Sequence, residues 1–502
     1  MNITKSLCFA LCLSVGYSFT ACDEDRNEVV YQTIQVPEDI FANGITAAPA
    51  GESQTFYVNS PGTVSAHVEK VGDNDAIDWI EVSVGDRTDN GYPITVKTAA
   101  NETRGPRMAR VAVYAGNVAR GVILTQPTNA PTVAAETPIA DVTARELASR
   151  MYAGVNIGNT LEAPDGEGSW TRPVTIEYVR GLKAAGFNAV RIPCAWNSHI
   201  DGNTKKEKAK NIIKAEWLER VDQVVEWVIG EGMYAIVNIH WDGGWLENNL
   251  ADGYDEDIDK KQRDFWTQIA KKLNHFDEHL LFAGMNEPGM DGTITDAAVD
   301  AIVRYQQTFV DAVRATGGNN ASRCLVAQGP QTNIDETVKG RYKLPVDIIA
   351  DRMFVEVHNY DPSDFTIMEK DGQWASTVKL YWGADNMLPG SDRNCTWADA
   401  AYINGQYKKM HDTFVANGIP VIVGEYSSAV RNASDFPGMD VEKHQKSRAD
   451  WNEAMTRSAK NNGCVPFYWE TGTDINRTTG EVINPYAIDG LMRGASAGVY
   501  PF

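Results

Sequence analysis

Hydrophobic and polar positions follow two different periods along this chain, and the change between them divides it. From residue 22 to 128 the apolar positions alternate with polar ones in short runs, at 55–58, 64–68, 79–84, 94–98, 109–114 and 121–125, with Gly, Asp, Asn and Pro between them. Strands at this spacing, with no helical period among them, predict a small antiparallel sandwich. Residues 129–141, rich in Pro, Ala and Thr, read as a semi-rigid linker. From 142 to 502 the pattern changes to near-continuous apolar runs at 153–157, 188–192, 234–239, 280–285, 323–327, 353–357, 420–423 and 465–468. Runs of that kind are strands buried on both faces of a parallel sheet. Helical patterns lie between them at 175–185, 215–229, 257–276, 295–315 and 397–417, several stopped by a Gly. Eight strands, each followed by a helix, predict an α/β fold, a (β/α)8 TIM barrel with enlarged loops whose working groups stand at the C-terminal ends of the strands.

The first 21 residues break this scheme. Lys5 precedes an apolar stretch at 7–15 that is too short to span a bilayer, the form of a secretory signal peptide. The small Ala21 stands before Cys22, a lipidation site, and Asp23, Glu24 and Asp25 follow. That arrangement resembles the leader and acidic tract of lipoproteins sent to the outer face of the outer membrane in Bacteroidetes-type bacteria. It implies a cell-surface protein held by lipidated Cys22, the alternative being a secreted or periplasmic one. Cys8 and Cys12 leave with the leader. Cys194, Cys324, Cys395 and Cys464 show no C-x-x-C spacing, which argues against a zinc site or a dense disulfide framework, and Cys194, Cys324 and Cys464, in or beside apolar runs, read as core thiols. A formal net charge of −21 excludes polyanionic partners such as nucleic acid and favours a neutral polymer or oligomer as substrate. A monomer needing no metal or cofactor is expected.

Candidate chemistry gathers at the ends of the predicted strands. The run from Leu281 ends in Met285, Asn286, Glu287 and Pro288, and the run from Ile419 ends in Gly424, Glu425 and Tyr426. Two carboxylic acids at the tips of two parallel strands are the pair that glycosidic-bond cleavage uses, one as general acid/base and one as nucleophile. Other strand ends bring Asn156, Asn159 and Glu162, then Arg191, then His240 and Trp241, then His358 and Tyr360, then Trp469. Charged groups are costly to bury unless paired, so their convergence on one rim points to a site. Trp241 to Trp245, with Gly243 and Gly244 between two indoles, either lines that cleft or packs as a loop. His240 and Asp242 have an H-x-D spacing, but with no third convergent ligand a metal site is not expected.

The segments Gly158-Asn159-Thr160-Leu161-Glu162, Gly186-Phe187-Asn188-Ala189-Val190-Arg191-Ile192-Pro193, Met285-Asn286-Glu287-Pro288 and Gly424-Glu425 resemble glycoside hydrolase family 5, in its cellulase and xyloglucanase branch, across about residues 147–502. The block 79–126 is similar to the Ig-like BACON module found N-terminal to glycosidases, with an exposed turn at Asn101-Glu102-Thr103-Arg104 and a spacer role favoured over sugar binding. The family resemblance implies a retaining endo-β-1,4-glucanase, the alternatives being an endo-β-1,4-mannanase or a non-catalytic surface glycan-binding lipoprotein. It makes Glu287 the general acid/base, its pKa raised by burial beside Glu425, and Glu425 the nucleophile, held by Arg191 and Tyr360. It places Asn286 on the sugar 2-hydroxyl in subsite −1, His240 and His358 on sugar hydroxyls and beside Glu287, and Trp469 under the sugar ring. Asn159, Trp241 and Trp245 join it as substrate-binding candidates, and the two carboxyl groups are expected about 5–5.5 Å apart.

Overall fold

A computed structural model describes residues 34–502 apart from 72–76, 103–106, 117, 128–137, 290, 291 and 293. The signal peptide, Cys22 and most of the linker lie outside the described residues. The chain divides into two compact units, Met1–Asn129 and Ala130–Phe502.

In the first unit all six alternating runs form strands. They are β2 (Ser53–Val58), β3 (Val64–Glu69), β4 (Ile80–Val84), β5 (Tyr92–Thr98), β6 (Arg107–Ala115) and β7 (Val118–Gln126). A further two-residue strand, β1 (Ile45–Thr46), pairs in parallel with β7, and it is too short to carry any period. Two sheets result, ordered β1-β7-β6-β3 and β2-β5-β4. Val58, Ile94, Val96, Val111, Val113, Val122 and Leu124 fill the space between them, as period-two burial requires. Of the expected exposed turn at residues 101–104, Thr103 and Arg104 lie outside the described residues, and exposure of Asn101 is corrected. Asn101 is fully buried, and its amide donates to the carbonyls of Gln126 and Pro127, closing the end of the last strand. A polar side chain can be buried there because the chain's own carbonyls satisfy it.

In the second unit the eight apolar runs form a closed parallel barrel. Its strands are β8 (Gly154–Ile157), β9 (Ala189–Ile192), β10 (Tyr234–Asn238), β11 (Leu280–Ala283), β12 (Leu325–Gln328), β13 (Met353–His358), β14 (Val421–Tyr426) and β15 (Cys464–Glu470). All but Met353 and Trp469 are buried throughout, which is why their sequences show no alternation. The expected helices form at Ile176–Ala184, Ala215–Gly230, Glu256–Lys272, Asp296–Ala315 and Ala400–Thr413, with Val441–Asn461 and Pro485–Ala497 after β14 and β15. Thr175, Asp255, Thr295 and Asp399 cap four of them by accepting first-turn N–H groups. One expectation fails: β12 is followed only by the single turn Ile334–Thr337, because Gly340 and Pro345 soon interrupt any longer helix. No helix among the described residues is long and apolar enough to cross a membrane. The four described cysteines are buried and unpaired, as core thiols.

At the N-terminal end of the barrel, Arg323 is completely buried and is satisfied by hydrogen bonds to the surrounding chain. Its guanidinium donates to the carbonyls of Phe276 at 2.6 Å, Asp277 at 2.7 Å and Leu280 at 2.8 Å, and to Asn320 Oδ1 at 2.8 Å. Replacing Arg323 with Met leaves those carbonyls without donors. Each lost partner costs about 1–3 kcal/mol, so thermal denaturation should show a fall in Tm of roughly 5 °C or more.

Candidate functional site

The site is organised around one buried guanidinium on β9. Arg191 is completely buried and touches four strands' worth of partners. Its Nη1 donates to Asn156 Oδ1 and to Glu425 Oε1, both at 3.0 Å, and its Nη2 donates to Asn286 Oδ1 at 2.8 Å. Nε lies 3.0 Å from Glu356 Oε1, an ion pair at the barrel's centre. Asn156 in turn donates to the Gly424 carbonyl at 2.8 Å, so Arg191 and the β14 backbone are fixed by one amide. Burial works against Arg191's charge, but Glu356, Glu425 and Glu287 together raise its pKa, and it is a permanent cation.

Glu425 reaches this cation because β14 departs from regular pairing at that point. The register against β13 shifts between Val357 and His358, and that against β15 shifts between Val423 and Tyr426. Such irregularities re-aim a side chain toward the rim. Gly424 makes the shift possible: a Cβ there would stand 1.9 Å from Glu356 Oε1 and 2.9 Å from His358 Nε2. The Gly-Glu pair in the sequence is therefore a steric requirement set by β13.

His358 joins the two acids. Its Nδ1 donates to Glu287 Oε1 at 2.7 Å and lies 3.7 Å from Glu425 Oε2, and its Nε2 is 3.2 Å from Glu356 Oε1. Burial opposes its charge, yet Glu425, Glu287 and Glu356 raise its pKa to about 10. Both ring nitrogens are occupied by carboxyl oxygens of the protein, so the expectation that His358 binds sugar hydroxyls is corrected. Glu356, although fully buried, is held below its ordinary pKa by Arg191, His358 and Gln328, whose amide donates at 2.6 Å. Tyr360 donates its hydroxyl to Glu425 Oε2 at 2.9 Å.

The two acids meet. One carboxylate oxygen of Glu287 and one of Glu425 lie within 4.8 Å of each other and of His358. The expectation that burial acts on Glu287 is corrected, because its side chain is 25% exposed whereas that of Glu425 is 7% exposed. Burial leaves the Glu425 pKa raised above its ordinary value, with Glu287 adding to it, against the pull of His358, Arg191 and the Tyr360 hydroxyl. Glu425 thus meets Arg191, Tyr360 and His358, while the Glu287 carboxyl meets His358 alone among the described residues.

The other expected residues divide. The His240 ring stacks against Trp469, centroids 5.6 Å apart and 14° from parallel, and burial followed by Arg191 and His358 keeps it neutral, well below its ordinary pKa. Trp469 lies against Gly158, where any side chain would collide with the indole. Asn159 takes a left-handed backbone conformation in the turn after β8, and Glu162 accepts the N–H groups of Asn159 and Thr160, shaping that turn from beneath. Trp241 is 41% exposed. Trp245 is committed to packing: its Nε1 donates to Asp242 at 2.8 Å, its ring meets Phe265 edge-on, and Lys261 lies 4.6 Å over it. Asp242 accepts from the backbone N–H groups of Trp196 and Asn197 and is a loop anchor.

Two groups among the described residues could gather ligand atoms around a metal, Glu287 with His358 and Glu425, and Asp277 with Glu278 and His279. In the first group both His358 ring nitrogens already face carboxyl oxygens of Glu287 and Glu356. The half-buried second group stands at the opposite end of the barrel, before β11.

Sequence reasoning missed Glu356, Gln328 and Glu247. A lone acid inside the apolar run of β13 was the readable signal for Glu356, since only a buried cation justifies it. Glu247 carried no local signal. It is buried in the β10–β11 connection and accepts from the N–H of Asn286 at 3.1 Å and of Glu287 at 2.5 Å.

The charge state of His358 is measurable. Its ring should keep both protons from pH 5 to past pH 8, giving two downfield N–H resonances by ¹⁵N-resolved NMR. The stabilisation is complete below the unfolded value near 6.5 and is lost as pH rises through about 10. Loss of one resonance by pH 7 would contradict the network.

Similarity to known proteins agrees with this geometry. Residues 154–474 match the family description Cellulase (glycosyl hydrolase family 5). The chain is 35% identical over 426 residues to the xyloglucan-specific endo-beta-1,4-glucanase BoGH5A of Bacteroides ovatus, covering 80% of this chain and 81% of that one. Its structure superposes on that of the Bacteroides ovatus GH5 xyloglucanase in complex with a XXXG heptasaccharide with a TM-score of 0.64, at 30% identity, over 92% of this chain and all of that one. It is also similar to XEG5B, a GH5 xyloglucan-specific beta-1,4-glucanase from a ruminal metagenomic library, with a TM-score of 0.64 at 36% identity, over 72% of this chain and 98% of that one. With a family match of that extent over the barrel that carries the paired acids, this chain belongs to glycoside hydrolase family 5.

Proposed function

We propose that this glycoside hydrolase cleaves the β-1,4-linked backbone of neutral plant glucans, with xyloglucan the first candidate, by a retaining double displacement. The observation that carries the mechanism is the approach of Glu287 and Glu425 oxygens to within 4.8 Å. Retaining enzymes hold their two carboxyl groups at about 5–5.5 Å, whereas inverting ones need roughly 6.5–9.5 Å to admit water between them.

The buried charges support the assignment of roles. Arg191 and His358 bring two positive charges, and Glu356 and Glu425 as carboxylates balance them, while the general-acid role gives Glu287 the proton to be transferred. In the first step Glu425 attacks the anomeric carbon, the glycosidic C–O bond breaks, and the Glu287 proton passes to the leaving oxygen. Glu425 becomes a neutral ester as Glu287 becomes a carboxylate, so the pocket's net charge is unchanged and no charge is created in a buried space. In the second step water gives Glu287 its proton back and its oxygen displaces Glu425. Asn286 is held by Arg191 through its Oδ1, which leaves its Nδ2 to donate to a sugar 2-hydroxyl. Trp469 and His240 are assigned to the ring face of the sugar next to the scissile bond, and Trp241 to a more distant sugar.

The relatives described above are named as xyloglucan-specific, which favours glucan over mannan. Retention of both acids and their supporting cations favours an enzyme over a non-catalytic binder. We also propose that Cys22 is the lipidated N-terminus of a surface-anchored protein and that the sandwich unit is a BACON-like spacer. Both rest on sequence, and Cys22→Ser should release the protein from the membrane fraction if the first is right.

Reducing-sugar release should be greatest on xyloglucan, lower on mixed-linkage β-glucan and carboxymethyl cellulose, and least on glucomannan; preference for glucomannan would favour the mannanase. Glu425→Ala should lower kcat by a factor on the order of 10⁴ or more, about 5 kcal/mol, with partial rescue by azide. Glu287→Gln should lose about 10²–10⁴-fold on oligosaccharides but far less on aryl glycosides with good leaving groups. Equal losses on both would remove Glu287 from the acid role.

A further inference from the structure

Glu247 stands in the one-turn helix Glu247–Asn249 of the β10–β11 connection, 4% exposed, with every described contact directed at the segment that bears Glu287. Oε1 accepts the N–H of Asn286 at 3.1 Å and of Glu287 at 2.5 Å, and its backbone carbonyl accepts the N–H of Gly289 at 3.3 Å. One side-chain oxygen thus fixes two successive peptide groups, and through them the direction in which the Asn286 and Glu287 side chains leave the backbone. The buried charge balance has no cation left for it, since Arg191 and His358 are matched by Glu356 and Glu425. Burial, and then the charge of Glu287, push the Glu247 carboxyl up to about 8 against the pull of the two N–H groups and His358.

We propose that Glu247 is a positioning residue that serves as a neutral carboxylic acid, its carbonyl oxygen fixing the Asn286–Glu287 peptide and its loss of a proton in alkali opposing proton donation by Glu287. This rests on Glu287 being the general acid. When Glu287 gives its proton to the leaving oxygen it acquires a negative charge. A neutral Glu247 does not oppose that step, whereas an ionised one does. His358 favours the ionisation of Glu247, burial opposes it, and Glu287 opposes it further once its proton has passed to the leaving oxygen. The enzyme then holds two protonated carboxyl groups in sequence behind the leaving group, and the loss of either disables the acid step.

Profiles of kcat/KM against pH for the full-length enzyme, Glu247→Ala and Glu247→Gln test this, on a cello-oligosaccharide and on a dinitrophenyl cellobioside whose leaving group needs no proton. Glu247→Ala should lower kcat on the oligosaccharide by roughly 10–100-fold while KM changes less than about threefold, and should affect the dinitrophenyl substrate much less. Gln mimics a protonated Glu, so Glu247→Gln should recover most of that loss at pH 6.5. On the oligosaccharide the wild-type alkaline limb should steepen toward a slope of about −2, two protons being lost, and that of Glu247→Gln should stay near −1. Equal damage by Ala and Gln at pH 6.5, or limbs of one slope in both proteins, would overturn the proposal. A Glu287→Gln enzyme insensitive to the leaving group would instead overturn the acid assignment on which it rests.

Discussion

The barrel's chemistry depends on the contact between one arginine and the carboxylates it is obliged to share. Arg191 cannot lose its proton and cannot reach water, so Glu356 and Glu425 are drawn to it and Asn156 and Asn286 fill its remaining N–H groups. Taking ions out of water is expensive, and only near-complete pairing offsets that cost. Here the pairing also aligns parts of β8, β9, β11, β13 and β14, because each partner comes from a different strand or its end. The same interaction that makes the burial tolerable fixes the reacting groups relative to one another.

His358 extends the network to the second acid. With both ring protons committed, it ties Glu287 to Glu356 and stands close to Glu425. An imidazolium can donate to carboxyl oxygens on both sides of the ring, where a neutral imidazole donates on one side only. Gly424 shows how far the demand reaches: the backbone beside Glu425 must lack a side chain because Glu356 and His358 occupy the space a Cβ would take. A preorganised arrangement of this kind needs little rearrangement when charge moves from Glu425 to Glu287 during reaction.

Much of this was legible in the sequence, for identifiable reasons. Eight apolar runs without alternation can only be strands buried on both faces, and they gave the barrel. The capping residues Thr175 and Thr295 and the stops at Gly186 and Gly317 marked helices whose ends are chemically enforced. Arg191, Glu287 and Glu425 stood out because charge at the end of an apolar run needs a partner. What remained hidden depends on contacts between segments distant in sequence. Glu356 sits only two residues before His358 but faces Arg191 across the barrel, and Glu247 supports Glu287 from a loop forty residues earlier. Asn101 was read as an exposed turn residue from the resemblance to the BACON module, yet its amide is buried against two carbonyls of the same sandwich. For Trp245 the sequence left cleft lining and loop packing open, and Asp242, Phe265 and Lys261 claim it for packing.

The measurement that bears most directly on the central claim is identification of the residue that becomes covalently attached to sugar. Incubation with a 2-deoxy-2-fluoro-β-cellobiosyl fluoride, which forms the glycosyl-enzyme quickly and releases it slowly, followed by peptide mass mapping, locates that residue. The carboxylate held by Arg191, Tyr360 and His358 should carry the label, so the modified peptide should contain Glu425, with Glu287 unmodified. A label on Glu287, or no label on a protein that still hydrolyses glucan with inversion of configuration, would contradict the account.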